Sequence, residues 1–101
     1  MRMLLQVTLP HEPFNSAVRD GSAEKKMQAI LEATRPEAAY FMEYGGHRCG
    51  MLIVNLDNTS QIPALAEPWF LTFNADVQFR PVMLPEDLAK AGLAALGKKW
   101  A

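Results

Sequence analysis

Hydrophobic and polar residues alternate along four short segments of the chain, at residues 3–9, 39–44, 49–56 and 77–83. Alternation with a period of two is typical of a β-strand with one buried face. Apolar residues recur instead at helical spacing over residues 22–34 and 60–73. The order strand, helix, strand therefore occurs twice. The sequence predicts an α+β fold, a ferredoxin-like βαββαβ domain with a four-stranded antiparallel sheet and helices on one face.

Turn and cap residues mark the boundaries of these elements. Residues 14–18 indicate one or two helical turns before the first long helix, and Ser22 is expected to cap that helix through its hydroxyl. A tight hairpin turn is predicted over Gly45-Gly46-His47-Arg48, because its two glycines adopt positive φ without steric cost. Asn74 is expected to close the second long helix in the left-handed conformation.

The last part of the chain lies outside the repeated pattern. One weakly amphipathic helix is predicted from Pro85 to about residue 96, followed by a polar tail that contains Trp100. We therefore divide the chain into a ferredoxin-like domain, residues 1–84, and a C-terminal helical appendage, residues 85–101. The appendage is expected to pack on a partner chain or on the outer rim of the domain.

The two faces of the predicted sheet differ in character. One face collects apolar side chains that suit packing beneath helices: Met3, Leu5, Val7, Phe41, Leu52, Val54, Val77 and Phe79. The opposite face mixes apolar and polar side chains: Leu4, Gln6, Thr8, Tyr40, Met42, Tyr44, Met51, Ile53, Asn55, Gln78, Arg80 and Val82. Burying an unpaired polar group costs about 1–3 kcal/mol, so these polar groups need partners. If two copies of the chain form a homodimer, these polar groups have two possible partners. One is a small molecule in a cavity between the two sheets, and the other is a set of side chains across the two-fold axis.

Composition and charge exclude several classes of protein. The 101 residues suit one domain, half of them are hydrophobic, and the net charge is only −1 without a basic stripe, which argues against nucleic acid as a partner. No segment approaches the roughly 18–20 apolar residues of a membrane span. Cys49 is the only cysteine, so no internal disulfide can form. These observations predict a cytoplasmic protein without a membrane partner.

Motifs for cofactors and metals are absent from the sequence. His11, His47 and Cys49 do not have the spacing of a zinc site, and neither histidine has the placement expected of a haem ligand. Glycine-rich nucleotide loops are also missing. We therefore expect no cofactor and no metal. His47 is an acid–base candidate, but its predicted position in the hairpin turn favours a solvated side chain.

Arg80 offers the sharpest chemistry in the sequence, because a guanidinium on the mixed face could hold a carboxylate through two hydrogen bonds. The alternative is an ion pair with Glu43 or Glu67. Trp69 offers a flat aromatic surface, although an apolar Trp-Phe pair on a helix is more often a core or dimer contact. The complete set of candidate ligand contacts is Arg80, Tyr40, Tyr44, Gln6, Asn55, Gln78, His47, Arg48 and Trp69.

Several short motifs resemble those of a group of small bacterial proteins without an established activity, similar to the dimeric α/β-barrel (ferredoxin-like) superfamily and distantly to muconolactone-isomerase-like proteins. The motifs are PEAAYF at 36–41, GHRCG at 46–50, SQIPA at 60–64, AEPWF at 66–70, PVM at 81–83 and PEDL at 85–88. The resemblance covers residues 1 to about 93 and implies a homodimer. That superfamily includes isomerases, cofactor-free monooxygenases, haem-degrading enzymes and binding modules, so fold kinship does not choose an activity.

Three functional interpretations follow from these observations. The first is a homodimer that binds a small anionic or aromatic molecule between its sheets. The second is a cofactor-independent isomerase or monooxygenase that uses Tyr40, Tyr44, His47 or Arg80 on its substrate. The third is a structural or regulatory dimer without a ligand.

Overall fold

Four antiparallel strands form one sheet in the order β2-β3-β1-β4. The computed structural model describes all 101 residues. Its elements are β1 (Arg2–Leu9), α1 (His11–Asp20), α2 (Ala23–Thr34), β2 (Ala38–Tyr44), β3 (His47–Asn55), α3 (Ile62–Phe73), β4 (Asp76–Pro81), α4 (Pro85–Lys90) and α5 (Leu93–Lys99). A single 3₁₀ turn (Thr59–Gln61) precedes α3. The topology confirms the predicted α+β class and is compatible with a ferredoxin-like fold that carries additional C-terminal helices.

The strand register confirms the predicted division of the sheet into two faces. Leu5 of β1 lies between Leu52 of β3 and Phe79 of β4, all on the face that the helices cover. The buried core on that side contains Met3, Leu5, Val7, Leu9, Ile30, Leu52, Val54, Leu56, Trp69, Phe73 and Ala75. Directly paired residues on neighbouring strands point to the same face of the sheet. The alternation within one strand therefore also determines which residues of the neighbouring strands lie on each face.

The edge strand β2 is an exception, because the helices do not extend over it. Every residue from Ala39 to Tyr44 is exposed, including Phe41, which the alternation assigns to the helix side. Phe41 was expected beneath the helices, and that expectation of burial is wrong although the side of the sheet is right. Its ring lies against Gly50 of β3, where an added Cβ would approach the ring to 3.2 Å.

The helix ends follow the predictions in part. The first crossover contains two helices, separated at Gly21, which has a φ of 82°. Ser22 occupies the cap position of α2 but makes no side-chain cap, and its hydroxyl is buried without a partner. The Asp20 carboxylate instead accepts the Ser22 N–H at 2.8 Å, so the predicted Ser22 cap is wrong. Asn74 ends α3 with a φ of 54°, as predicted.

The hairpin between β2 and β3 is tighter than predicted. Only Gly45 and Gly46 form the turn, with φ values of 59° and 82°, and Tyr44 pairs with His47 directly beyond them. Positive φ at both positions suits a two-residue turn whose twist matches the flanking strands. His47 and Arg48 therefore belong to β3, and their predicted place in the turn is wrong.

The C-terminal segment projects away from the sheet. Gly92, with a φ of 70°, divides the single predicted helix into α4 and α5. Every residue from 83 to 101 is exposed, and the molecule measures 60 × 28 × 19 Å. The radius of gyration is 17.2 Å, whereas a compact chain of this length has about 13 Å. None of the helices combines the length and the apolar character needed to cross a lipid bilayer.

Candidate functional site

The face of the sheet opposite the helices, which we call the open face, has no cover within the chain. Its most exposed large side chains lie on β2, where Tyr40 is 67%, Tyr44 54% and Met42 47% exposed. On the central strand β1 the same face carries Gln6, which is only 7% exposed, between Met51 and Gln78. The open face therefore combines an aromatic edge with a polar centre.

A hollow with a volume of about 720 Å³ lies at the end of the open face next to the β2–β3 hairpin. Its lining residues come from β1, the hairpin, β4 and the exposed surface of α3: Gln6, Thr8, Pro10, Tyr44, Gly45, His47, Phe70, Asp76, Val77 and Gln78. Four predicted contacts, Gln6, Tyr44, His47 and Gln78, thus share one site. Tyr40 and Arg80 lie on the same face but outside the hollow.

Arg80 is held by two glutamines and by no acid. Its Nη1 donates to Oε1 of Gln6 at 3.0 Å, and its Nη2 donates to Oε1 of Gln78 at 2.8 Å. Neither Glu43 nor Glu67 pairs with it, and the Glu43 carboxylate accepts an N–H of the hairpin turn at 3.1 Å instead. The guanidinium charge is therefore oriented by neutral groups and remains without a counter-charge in the chain.

A histidine pair stands beside the hollow. The rings of His11 and His47 stack with centroids 4.6 Å apart and planes at 26°. Nδ1 of His47 lies 3.3 Å from the carbonyl oxygen of Gly45. From the sequence, His11 was not among the candidate ligand contacts. The pairing of Leu9 with Arg48, which brings the end of β1 beside the start of β3, was the signal that could have joined the two histidines.

Asp76 is the second residue that sequence reasoning missed. It begins β4 and pairs with Thr8 at the end of the hollow nearest the hairpin. Arg80 follows four residues later on the same face, a separation of about 13 Å along a strand. The site therefore has an acid at one end and a guanidinium beyond the other.

Two further predicted contacts, Trp69 and Asn55, also lie away from the hollow. Trp69 is in the core, 1% exposed, with its ring centroid 6.3 Å from that of Phe73. The structure therefore supports the core explanation of Trp69 and corrects its choice as a ligand contact. Asn55 lies on the open face at the opposite end of the sheet, where its Oδ1 accepts the amino group of Met1 at 3.2 Å.

Arg48 points to the helix side of the sheet, so its choice as a contact on the open face is also corrected. Its register partner on β1 is Leu9, a core residue. The guanidinium donates to Oδ1 of Asn15 at 2.8 Å and lies 4.6 Å from the centre of the Phe14 ring. Arg48 therefore fastens α1 to the sheet.

The carboxylates with a lowered pKa lie outside the hollow. The Ser16 hydroxyl, which donates to Glu12 at 2.6 Å, holds the pKa of that carboxyl below its usual range. Hydrogen bonding from Ser22 also lowers the pKa of Asp20. Both acids lie on α1. No three His, Cys, Asp or Glu side chains come together in a group that could hold a metal ion.

Comparisons with known proteins add no relative to this picture. No protein-family model matches the chain, and no curated protein is significantly similar to it.

Proposed function

We propose that the protein is a homodimer whose two open faces meet and enclose a small-molecule site. An exposed sheet face with Tyr40, Met42 and Tyr44 on one edge is more apolar than monomers usually leave in water. A second copy is the simplest cover, because a two-fold axis applies one solution to both faces. As part of this proposal, we relate the chain to the dimeric α/β-barrel superfamily that its motifs resemble. Since the only cysteine is buried and free, we propose the cytoplasm as its compartment.

The ligand that suits this site is a small molecule with an anionic group. The observation that carries the proposal is the unpaired guanidinium of Arg80, fixed by Gln6 and Gln78. Burying such a charge beneath a second sheet is costly unless an anion accompanies it. The amide NH₂ groups of the two glutamines make no hydrogen bond in the chain, so they add neutral donors beside the charge.

The aromatic groups of the site indicate the rest of the ligand. Tyr44 and His47 line the hollow, and Tyr40 lies two residues from Tyr44 on the same face of β2. Flat aromatic side chains favour stacking on a planar ligand. An aromatic or otherwise planar carboxylate therefore fits the combination of these rings with Arg80.

The test is binding of benzoate, as an aromatic carboxylate, compared with benzyl alcohol, its uncharged analogue. Calorimetry on the wild-type protein should detect benzoate and a weaker response to benzyl alcohol. In Arg80→Ala, benzoate binding should weaken by about 1.5–3 kcal/mol, the usual value of a hydrogen bond to a charged group. The fold should lose no more than about 1–3 kcal/mol, the cost of leaving the Gln6 oxygen unpaired, because no acid in the chain loses its partner.

Arg19→Ala is the matched control, since it removes an exposed arginine on α1, far from the open face. Equal benzoate binding by wild type and Arg80→Ala would contradict the role of Arg80. Absence of any response to benzoate, inorganic phosphate and acetate would favour the structural dimer without a ligand.

A cofactor-independent enzyme is the second candidate, favoured by the acid–base groups that share the hollow. His47, Tyr44 and Asp76 come from three different strands and face one space. Such groups can transfer protons within a bound substrate, as an isomerase requires. Turnover of ligands found by the binding screen, compared between wild type and His47→Gln, separates this function from binding alone.

A further inference from the structure

The segment from Met83 to Ala101, which we call the arm, carries apolar side chains that nothing in the chain covers. In α5, Leu93, Leu96 and Trp100 recur at a spacing of three and four residues, which aligns them on one side of the helix. Leu88 of α4 is also exposed, and Trp100 is 77% exposed. An amphipathic helix with a free apolar stripe normally packs against another surface.

The arm starts at the edge of the sheet formed by β4 and continues the apolar surface of the open face. Val82 leads into Met83 and Leu84, which form with Pro85 and Leu88 a shallow apolar hollow of about 400 Å³. From there the chain projects outward, so that the molecule reaches 60 Å in length against 28 Å in width. The arm therefore extends away from its own core.

A receptor for the arm lies at the opposite edge of the sheet. A hollow of about 280 Å³, which we call the β2 hollow, is lined by Leu9, Phe14, Met27, Phe41, Met42, Arg48 and Cys49. All but Arg48 are hydrophobic. Phe41 stands exposed at its rim because the helices do not cover β2. Phe41 and Arg48 lie on the helix side of the sheet, whereas Met42 and Cys49 belong to the open face, so pairing of the open faces would leave the helix side of the β2 hollow uncovered.

We propose that the arm of one copy docks in the β2 hollow of a second copy, with the reciprocal contact made by the partner arm. Docking within one chain is disfavoured because the arm leaves β4 beside Arg2, whereas the β2 hollow lies across the sheet and beside Leu9, the other end of β1. Between two copies, the same exchange buries two apolar stripes in two apolar hollows. In a closed two-fold dimer, both arms and both β2 hollows would be covered at the same time.

This inference rests on the proposed homodimer but not on its ligand. Trp100 provides the direct readout, since the only other tryptophan, Trp69, is buried in the core. The difference in fluorescence between wild type and Trp100→Phe isolates the Trp100 indole. As the protein concentration rises through dimer formation, measured in parallel by light scattering, Trp100 emission should shift to the blue and its quenching by acrylamide should fall several-fold.

Phe41→Asp tests the receptor site, because it places a charge at the rim of the β2 hollow and its exposed position tolerates the change. This variant should keep the circular dichroism spectrum of the wild type and lose the shielding of Trp100. Leu71→Asp is the matched control: it introduces the same charge at an exposed apolar position on α3, outside the β2 hollow, and should keep the shielding.

Three results would overturn the proposal. Shielding of Trp100 that does not depend on protein concentration would mean that the arm folds onto its own chain. A dimer in which Trp100 stays fully accessible would mean that the arm takes no part, while the proposed sheet-to-sheet dimer and its benzoate site would still stand. Shielding that survives Phe41→Asp would mean that the arm docks elsewhere.

Discussion

The two faces of the same four strands have opposite physical roles. On the helix-covered face, Leu5 and Val7 of β1 are almost fully buried beside Trp69 and Phe73. On the open face, the large side chains of β2 are about half exposed or more, and the central strand β1 carries a buried glutamine that orients an arginine. The comparison shows that one face supplies the stability of the fold and the other is free to carry binding groups.

The largest effect should come from the covered face. Phe73→Ala removes a fully buried ring and should destabilise the fold by about 3–5 kcal/mol, because it loses transfer free energy and leaves a cavity. Tyr40→Ala on the open face should change the unfolding free energy of the monomer by less than about 0.5 kcal/mol. Urea unfolding of both variants at low protein concentration measures the contrast. Similar losses of unfolding free energy in the two variants would show that the open face stabilises the fold as much as the covered face does.

The next effect concerns association rather than folding. Tyr40→Asp places an acid on the open face of each copy, so the proposed dimer would bring a carboxylate of each copy into a desolvated interface. We expect dimer formation to weaken by tenfold or more, at least about 1.4 kcal/mol. Sedimentation equilibrium measures the dissociation constant, with Leu71→Asp on α3 as the control. An unchanged dissociation constant would show that the open face does not form the dimer interface.

A smaller effect is expected at the rim of the open face, at the end of the sheet away from the hairpin. Nε of Arg2 donates to Glu37 Oε2 at 3.0 Å, with both side chains 41% exposed. Glu37→Gln should therefore cost only about 0.2–1 kcal/mol of unfolding free energy, and the cost should shrink in high salt. Thermal unfolding with and without added sodium chloride tests this. A larger loss of unfolding free energy that does not depend on salt would show that this ion pair stabilises the fold as strongly as the buried core does.

The smallest effect is a pH dependence on α1. Hydrogen bonds from Ser16 lower the pKa of Glu12 below its ordinary value of 4.5, so the folded chain binds this proton less readily than the unfolded chain. The stabilisation is complete above the ordinary pKa and is lost as the pH falls through the lowered one. The difference in stability between wild type and Ser16→Ala should therefore narrow on acidification. A difference that stays constant between neutral and acidic pH would contradict this linkage.

Alternation and turn chemistry were enough to predict the strand faces, the left-handed Asn74 and the glycine hairpin. Each of these depends on neighbours in the chain, since a strand repeats every two residues and a positive φ is a local property. The side of the sheet was predictable for the candidate residues on β1 and β4 for the same reason. Gln6, Gln78 and Arg80 lie on one face because the period of two places them there.

Only the tertiary structure decided which of these side chains meet and which are buried. Periodicity assigned Phe41 to the helix side but could not tell that the helices stop short of β2. Likewise, β3 begins at His47, two residues earlier than predicted, which places Arg48 against Asn15 and His47 against His11. The amide partners of Arg80 and the projection of the arm also depend on the relative positions of elements distant in sequence. The local sequence pattern therefore determined which way each side chain points from its helix or strand. The packing between elements determined which side chains are in contact and which are buried.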